Sequence, residues 1–228
     1  HHCAHRSAFG KMLNQQPLMR NVLADLVLES EGSLALTMRV ARAMDHRDDA
    51  QEDLFARLAT PVGKYWICKR TPNHAYEAME CIGGSGVMED GPMPRLFRES
   101  PVNAIWEGSG NVQCLDVLRA MQKTPAVVSA FFAEVAKARG GNATLDAYVK
   151  ALQGKFRDLA DLEYRARDLV DRMALALQAA LLVQHAPANI ADAFCASRFA
   201  GSGQHNAGTL PRGVDCAAII ARATPLTG

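Results

Sequence analysis

From Pro17 to Met44 apolar residues recur every three or four positions, at Leu18, Val22 and Leu26, then at Leu34, Met38 and Ala41. That period lines up one face of an α-helix and no face of a strand. It returns over residues 54–82. It returns again over 156–185, at Leu159, Leu162, Ala166, Leu169, Met173, Ala176, Ala180 and Val183. Nothing reads as a strand hairpin, so the expected fold is all-α, with long helices packed along narrow seams. Pro17 suits the first position of the first helix, which would run roughly 40 Å at about 1.5 Å per residue. Residues 45–53, "DHRDDAQED", read as a charged turn. Pro61 and Pro72 predict a kink or break in the second stretch, and Gly83-Gly84 ends it. Residues 83–101 are too rich in Gly and Pro to be regular.

A further helix ends near Lys123, with Ser109 or Asn111 as its N-cap and Val112, Leu115, Leu118 and Met121 as its stripe. Thr124-Pro125 then marks a boundary, which divides the chain into domains at 1–122 and 123–228. The second part reads as a helix to about Arg139, a turn at 140–142 and a short helix to about Gln153. The long helix over 156–185, a flexible loop over 200–213 and a final short helix complete it.

Hydrophobic residues make up 49% of the 228 and the formal net charge is +1, a balance of a globular chain rather than a disordered one. It gives no global reason to expect a nucleic-acid or membrane partner. The two parts differ mildly: residues 1–122 carry 13 basic and 15 acidic residues, and residues 123–228 carry 12 and 9. Cys3, Cys68, Cys81, Cys114, Cys195 and Cys216 show no CxxC pair, so the expected setting is a reducing one, the cytoplasm, without disulfides. The longest apolar run, 173–183, is interrupted by Gln178 and is too short to span a bilayer. The chain opens on "HHCAHRSAFGKML" without an initiator Met, which reads as the end of a helix already under way in a longer protein.

Glu107 stands between Trp106 and Gly108-Ser109-Gly110, just before an amphipathic helix. A glutamate beside a bulky aromatic is expected where water is scarce, and the glycines allow another molecule to come close. Two readings follow: a catalytic carboxylate, or an acid favoured near a helix start by the macrodipole. His1, His2 and His5 have the spacing of a helical metal site, but no acidic or thiol partner is fixed beside them, and no metal is expected. Arg119, Arg157, Arg165 and Arg172 are candidate contacts to DNA. Asp161 four residues before Arg165 and Asp168 four before Arg172 instead suggest a self-paired, solvated face.

Three segments occur in a telling order: "RSAFGKML" at 6–13, "AMECIGGSGV" at 78–87 and "IWEGSGNVQ" at 105–113. Together they resemble the C-terminal helical domain of the flavin-dependent acyl-CoA dehydrogenases, whose patterns are RxxFGxxL, QxxGGxGY and IYEGTxxIQ. The resemblance covers the chain to about Met121. The wording of residues 93–119, followed by a further helical segment, looks most like the AidB-type, alkylation-response branch. It implies a bundle-like domain of the four-helix kind with a helical extension, FAD as cofactor, an acyl-CoA substrate and a homo-oligomer, a tetramer in the family.

The resemblance also implies roles for residues. Glu107 would take the α-proton of an acyl-CoA thioester while a hydride passes to FAD, and its backbone N–H would donate to the thioester carbonyl. Trp106 and Gly108 would meet substrate. Ser109, Gly110 and Asn111 would lie by the flavin phosphates and ribityl chain, at a helix start suited to anions. Arg6 would reach the pyrophosphate of a neighbouring subunit's FAD, with Phe9 against the cofactor and Gln16 near its adenosine. Gly83 and Gly84 would let the partner's backbone approach. Residue by residue, a surface arginine, a core phenylalanine and a helix C-cap are the plainer readings. Glu80, Val87 and Ser109 depart from the family's glutamine, aromatic and threonine. The AidB-type resemblance also implies an alternative, a DNA-binding alkylation-response protein that uses the dehydrogenase fold as a scaffold for double-stranded DNA.

Overall fold

The computed structural model describes residues 1–158, 160–199 and 206–225, so Leu159 and residues 200–205 of the glycine-rich loop expected at 200–213 lie outside the described residues. The fold is all-α, as the periodicity predicts: α1 (His2–His5), α2 (Pro17–Asp45), α3 (Ala50–Glu80), α4 (Met93–Glu99), α5 (Gly110–Lys123), α6 (Ala126–Ala136), α7 (Ala143–Arg157), α8 (Ala166–His185), α9 (Ala188–Phe199) and α10 (Cys216–Ala223). One small hairpin escapes the sequence reading, β1 (Ser7–Ala8) against β2 (Lys11–Met12). Its two turn residues, Phe9 and Gly10, both have positive φ, 52° and 78°. A two-residue hairpin loop demands that conformation, and Gly10 adopts it without steric cost.

Of the kink or break expected at its prolines, α3 shows no break. It continues through Pro61 and Pro72 as one helix of 31 residues, although each proline removes a backbone N–H. The threonine before each proline donates its hydroxyl back one turn, Thr60 to the Ala56 carbonyl and Thr71 to that of Ile67, both at 2.7 Å. Packing supplies the rest. Phe55, Leu58, Val62, Tyr65 and Trp66 are buried, and α2, α4, α5, α6 and α8 all lie against this helix. A helix held on so many sides tolerates the loss of two hydrogen bonds. Asp49 caps its start through the N–H groups of Gln51 and Glu52.

Three other expectations change. The long helix over 156–185 is two: α7 runs past Gln153 to Arg157, and α8 begins at Ala166. Between them Asp161 has φ +48°, and the Arg165 guanidinium closes the turn onto the carbonyls of Asp158 and Ala160. The segment 83–101 contains the short α4 and two 3₁₀ turns. α9 had no counterpart in the sequence reading. Within α8 the expected seam holds, since Ala166, Leu169, Met173, Ala176 and Ala180 are buried. Nearly everything from Met173 to Leu182 joins them, as befits a helix that is apolar all round.

The apolar stripe of α2 faces outward. Leu18, Leu34 and Met38 are exposed, while Ala24, Asp25, Leu28, Gly32, Leu36, Arg39 and Ala43 form the buried face. Val112 and Leu115 on α5 are likewise exposed, and Cys114, Val117 and Ala120 are buried in their place. Small residues on these inner faces let neighbours close in. A Cβ on Gly63 of α3 would come within 2.5 Å of the Leu36 side chain. A single apolar core runs from α2 to α10 and crosses residue 122 without interruption. All six cysteines are free thiols, and no described helix is long and apolar enough to cross a membrane.

Two buried charge clusters tie α2 to its neighbours. Arg39 binds Glu52 at 2.7 Å and Glu134 at 2.9 Å and lies over the Phe55 ring, and Lys137 binds Glu134 at 2.6 Å. Arg198 of α9 binds Asp25 at 2.6 Å and Glu29 at 3.3 Å, and Arg70 of α3 also pairs with Glu29. Removing one partner of such a cluster leaves a buried charge uncompensated, so Arg39→Met is expected to lose about 3–5 kcal/mol of stability in urea unfolding. A loss below about 1 kcal/mol would show the cluster to be a surface-like ion pair.

Burial opposes ionisation of Glu134, but hydrogen bonds from Arg39 and Lys137 outweigh it and hold the carboxyl below its usual range. Glu29 is held low in the same way by Arg70 and Arg198. The unfolded chain, with carboxyls near about pH 4.3, therefore binds protons that the folded one refuses. This contribution is complete above that pH and disappears as the pH falls through the lowered folded values. Unfolding free energy should fall steeply below about pH 4, and less steeply in Glu134→Gln. Parallel acid limbs would remove Glu134 from the account.

Candidate functional site

Glu107 occupies a loop between the 3₁₀ turn Ser100–Ala104 and the start of α5. The loop is strained: Glu107 has φ +55° and Gly108 has φ +99°. A left-handed glutamate is costly, by about 1–3 kcal/mol, and persists only where the surroundings impose it. Two side chains impose it here. Lys64, on the buried length of α3, donates its ammonium to three loop carbonyls, those of Asn103 at 2.8 Å, Trp106 at 2.9 Å and Gly108 at 3.3 Å. Gln113, in the first turn of α5, donates its amide to the carbonyls of Glu107 at 2.9 Å and Gly108 at 3.2 Å. A Cβ on Gly108 would come within 2.5 Å of that amide, so glycine is required there by both conformation and space.

With the carbonyls engaged, the N–H groups of Glu107, Gly108 and Ser109 donate to no acceptor among the described residues. They continue into the open first turn of α5, where Ser109 is the N-cap residue and makes no side-chain cap bond. The result is a row of unsatisfied donors at a helix start, with the helix dipole behind it, an arrangement suited to oxyanions. Asn111 is not the cap. It lies one residue inside α5, and its side-chain oxygen accepts from Arg167 Nε of α8 at 2.9 Å. The same guanidinium lies 3.6 Å from where a Cβ on Gly110 would be, so the extension reaches the edge of this site.

Water is not scarce at Glu107 within this chain. The glutamate is exposed and Trp106 is 58% exposed, because the loop rests on α3 through its backbone. Burial against Trp106 is therefore not met inside the chain.

The other candidates gather elsewhere. Arg6 and Phe9 lie on the β1–β2 hairpin, both exposed, Phe9 to 99%. Gln16 braces that hairpin by donating to the Ala8 carbonyl at 2.9 Å. The hairpin follows α1, whose Cys3 thiol donates to the Cys81 carbonyl at 3.5 Å, one step from Gly83 and Gly84. A hollow of about 820 Å³ is lined in part by α1 and the end of α3. Gly83 has φ +72°, which explains a glycine after a helix end. At Gly84, where φ is not positive, a Cβ would meet nothing within 4 Å, so nothing inside the chain calls for glycine. This second group lies sixteen residues beyond Lys64 along α3, or about 24 Å at the helical rise. The chain thus carries two separate groups of motif residues.

The arginines proposed for DNA are mostly engaged. Arg172 pairs with Asp168 at 2.8 Å, as its spacing predicts, and Arg119 lies 3.6 Å from Asp116. Arg165 pairs with Asp158 rather than Asp161, because Asp161 falls in the turn before α8 and not on its face. Arg157 is exposed. Lys64 was invisible to sequence reading: 43 residues separate it from Glu107, and no motif marks it. Gln113 closes the third motif, yet nothing in the spacing told of its bond back to the loop.

The chain is 43% identical over 195 residues to AidB of Escherichia coli (strain K12), named as an acyl-CoA dehydrogenase, covering 86% of this chain and 36% of that protein. It is 31% identical over 113 residues to the mitochondrial short-chain specific acyl-CoA dehydrogenase of Bos taurus, covering 49% and 26%. Its fold matches Caenorhabditis elegans ACDH-11, solved in complex with C11-CoA, with a TM-score of 0.79 and 26% identity over 85% of this chain and 38% of that one. The matched part of the chain spans between 26% and 38% of the length of these relatives. Residues 1–122 match the family model for the acyl-CoA dehydrogenase C-terminal domain, and the chain belongs to the acyl-CoA dehydrogenase family.

Proposed function

We propose that this chain is the C-terminal part of a FAD-dependent acyl-CoA dehydrogenase in which Glu107 removes the α-proton of an acyl-CoA thioester. The observation that carries the reading is the loop itself, a strained glutamate with a row of free N–H donors beside it at a helix start. The Glu107 N–H would donate to the thioester carbonyl and stabilise the charge that develops as the proton leaves. Gly108 would meet substrate through its backbone, since its Cβ direction is filled by the Gln113 amide. Trp106 and substrate would exclude water from the carboxylate once further domains cover the loop, strengthening it as a base. FAD, when bound, supplies the hydride acceptor. Its residues fit: Ser109 and Gly110 offer backbone donors to phosphate, and Arg6 presents an exposed guanidinium suited to a pyrophosphate.

The distance between the two motif groups supports a shared site, with Glu107 and the α5 start serving one copy's cofactor and Arg6, Phe9, Gly83 and Gly84 a neighbour's. The surface agrees. Among the described residues, fifteen of the sixteen exposed large hydrophobic residues fall within 1–122, and Tyr164 is the exception. Residues 1–122 thus present the apolar faces that other domains or copies would cover, while the described residues of the extension expose few large apolar side chains. Duplex DNA finds less support, since Arg165 and Arg172 are held by their own acids.

In the complete flavoprotein, a straight-chain acyl-CoA series that includes C11-CoA should bleach the flavin absorbance. Glu107→Gln should slow that bleaching by at least about 100-fold, the scale of a general base. Wild-type bleaching in the variant would remove Glu107 from the role. Residues 1–228 alone should purify colourless, and a stoichiometric flavin spectrum would contradict the need for further domains.

A further inference from the structure

The residue the motifs overlook is Lys64. An ammonium has three N–H bonds, and here all three end on carbonyls that bracket Glu107. A peptide unit is planar, and there are no cis bonds among the described residues, so each C=O fixes the direction of the N–H that follows it. Drawing the Trp106 carbonyl toward α3 turns the Glu107 N–H the other way. Drawing in the Gly108 carbonyl does the same for Ser109. Gln113 holds the intervening Glu107 carbonyl and so sets the Gly108 N–H. A cation on the carbonyl side of a peptide also polarises its N–H as a donor. The left-handed backbone at Glu107 and Gly108 is the strain this clamp sustains.

We propose that Lys64, assisted by Gln113, is a positioning residue that aims and polarises the Glu107 N–H toward the thioester oxygen. The proposal rests on the reading of Glu107 given above and adds to it the cause of the loop's geometry. Lys64 itself stays behind the loop, its ammonium fully engaged, and touches neither proton nor substrate.

The test uses the complete flavoprotein and two readouts, the limiting rate of flavin bleaching by acyl-CoA and the ionisation of a bound 3-ketoacyl-CoA to its enolate, followed by absorbance. Lys64→Met is expected to slow bleaching roughly 100-fold, the cost of misplacing a reacting group by about 1 Å. It should also raise the pH at which the bound ketoacyl-CoA ionises, with flavin content retained. A role in folding alone would leave that ionisation unmoved. Gln113→Met, on an accessible part of α5, should move both readouts the same way by a smaller factor, and it decides the matter if Lys64→Met fails to fold. Wild-type rates and ionisation in the folded variants, beside a Glu107→Gln that is inactive, overturn the role of Lys64 alone. An active Glu107→Gln overturns the underlying reading instead.

Discussion

The loop that carries Glu107 is only as well placed as the helix it is bolted to. Lys64 lies one turn beyond Pro61 and two turns before Pro72. A kink at either proline would swing its ammonium away from three carbonyls that it meets at 2.8–3.3 Å. The unbroken run of α3 through both prolines is therefore the constraint from which the site follows. The same rod carries Arg57, which grips Asp116 of α5 through two bonds, and Tyr65, whose ring lies 3.4 Å from where a Cβ on Gly110 would be. Its far end sets down Gly83 and Gly84. One helix thus fixes the start of α5, the glutamate loop and the glycine turn at set distances from each other.

Surroundings decide what a proline does. In isolation each would cost about 3 kcal/mol in a helix interior. In α3 the buried faces toward five other helices offset that cost. The two charge clusters on α2 act in the same sense. They hold α2 against α3, α6 and α9 with paired charges where a purely apolar face would permit sliding.

Much of this was legible in the sequence. Helical period, Pro17 at a helix start, Gly83 after a helix end and the turn at 140–142 are local signals, and they hold. What failed was the assignment of faces. Leu18, Leu34, Met38, Val112 and Leu115 form true apolar stripes, but periodicity reports only that a face is apolar and says nothing of what covers it. The most apolar stripe of a helix therefore need not point to the core of its own chain. The buried side of α2 instead carries Asp25 and Arg39, whose partners lie far away in sequence. The break between α7 and α8 was hidden for a related reason, because Leu162 keeps the apolar period through a turn closed by Arg165.

The motif residues were found by resemblance and their geometry by structure, and each corrects the other. Resemblance places a base at Glu107. The backbone explains why the residue has a left-handed conformation and why its N–H is free, and it removes the expectation that Trp106 alone keeps water out. What this chain itself supplies is a loop whose backbone is held by Lys64 and Gln113.

The most direct measurement is a crystal structure of the complete flavoprotein with FAD and an unreactive acyl thioester. The account predicts the Glu107 carboxylate about 3–3.5 Å from the α-carbon, its N–H about 2.7–3.1 Å from the thioester oxygen, and the Lys64 contacts unchanged. A thioester bound away from this loop, or a Glu107 carboxylate still turned to open solvent in that complex, would contradict it.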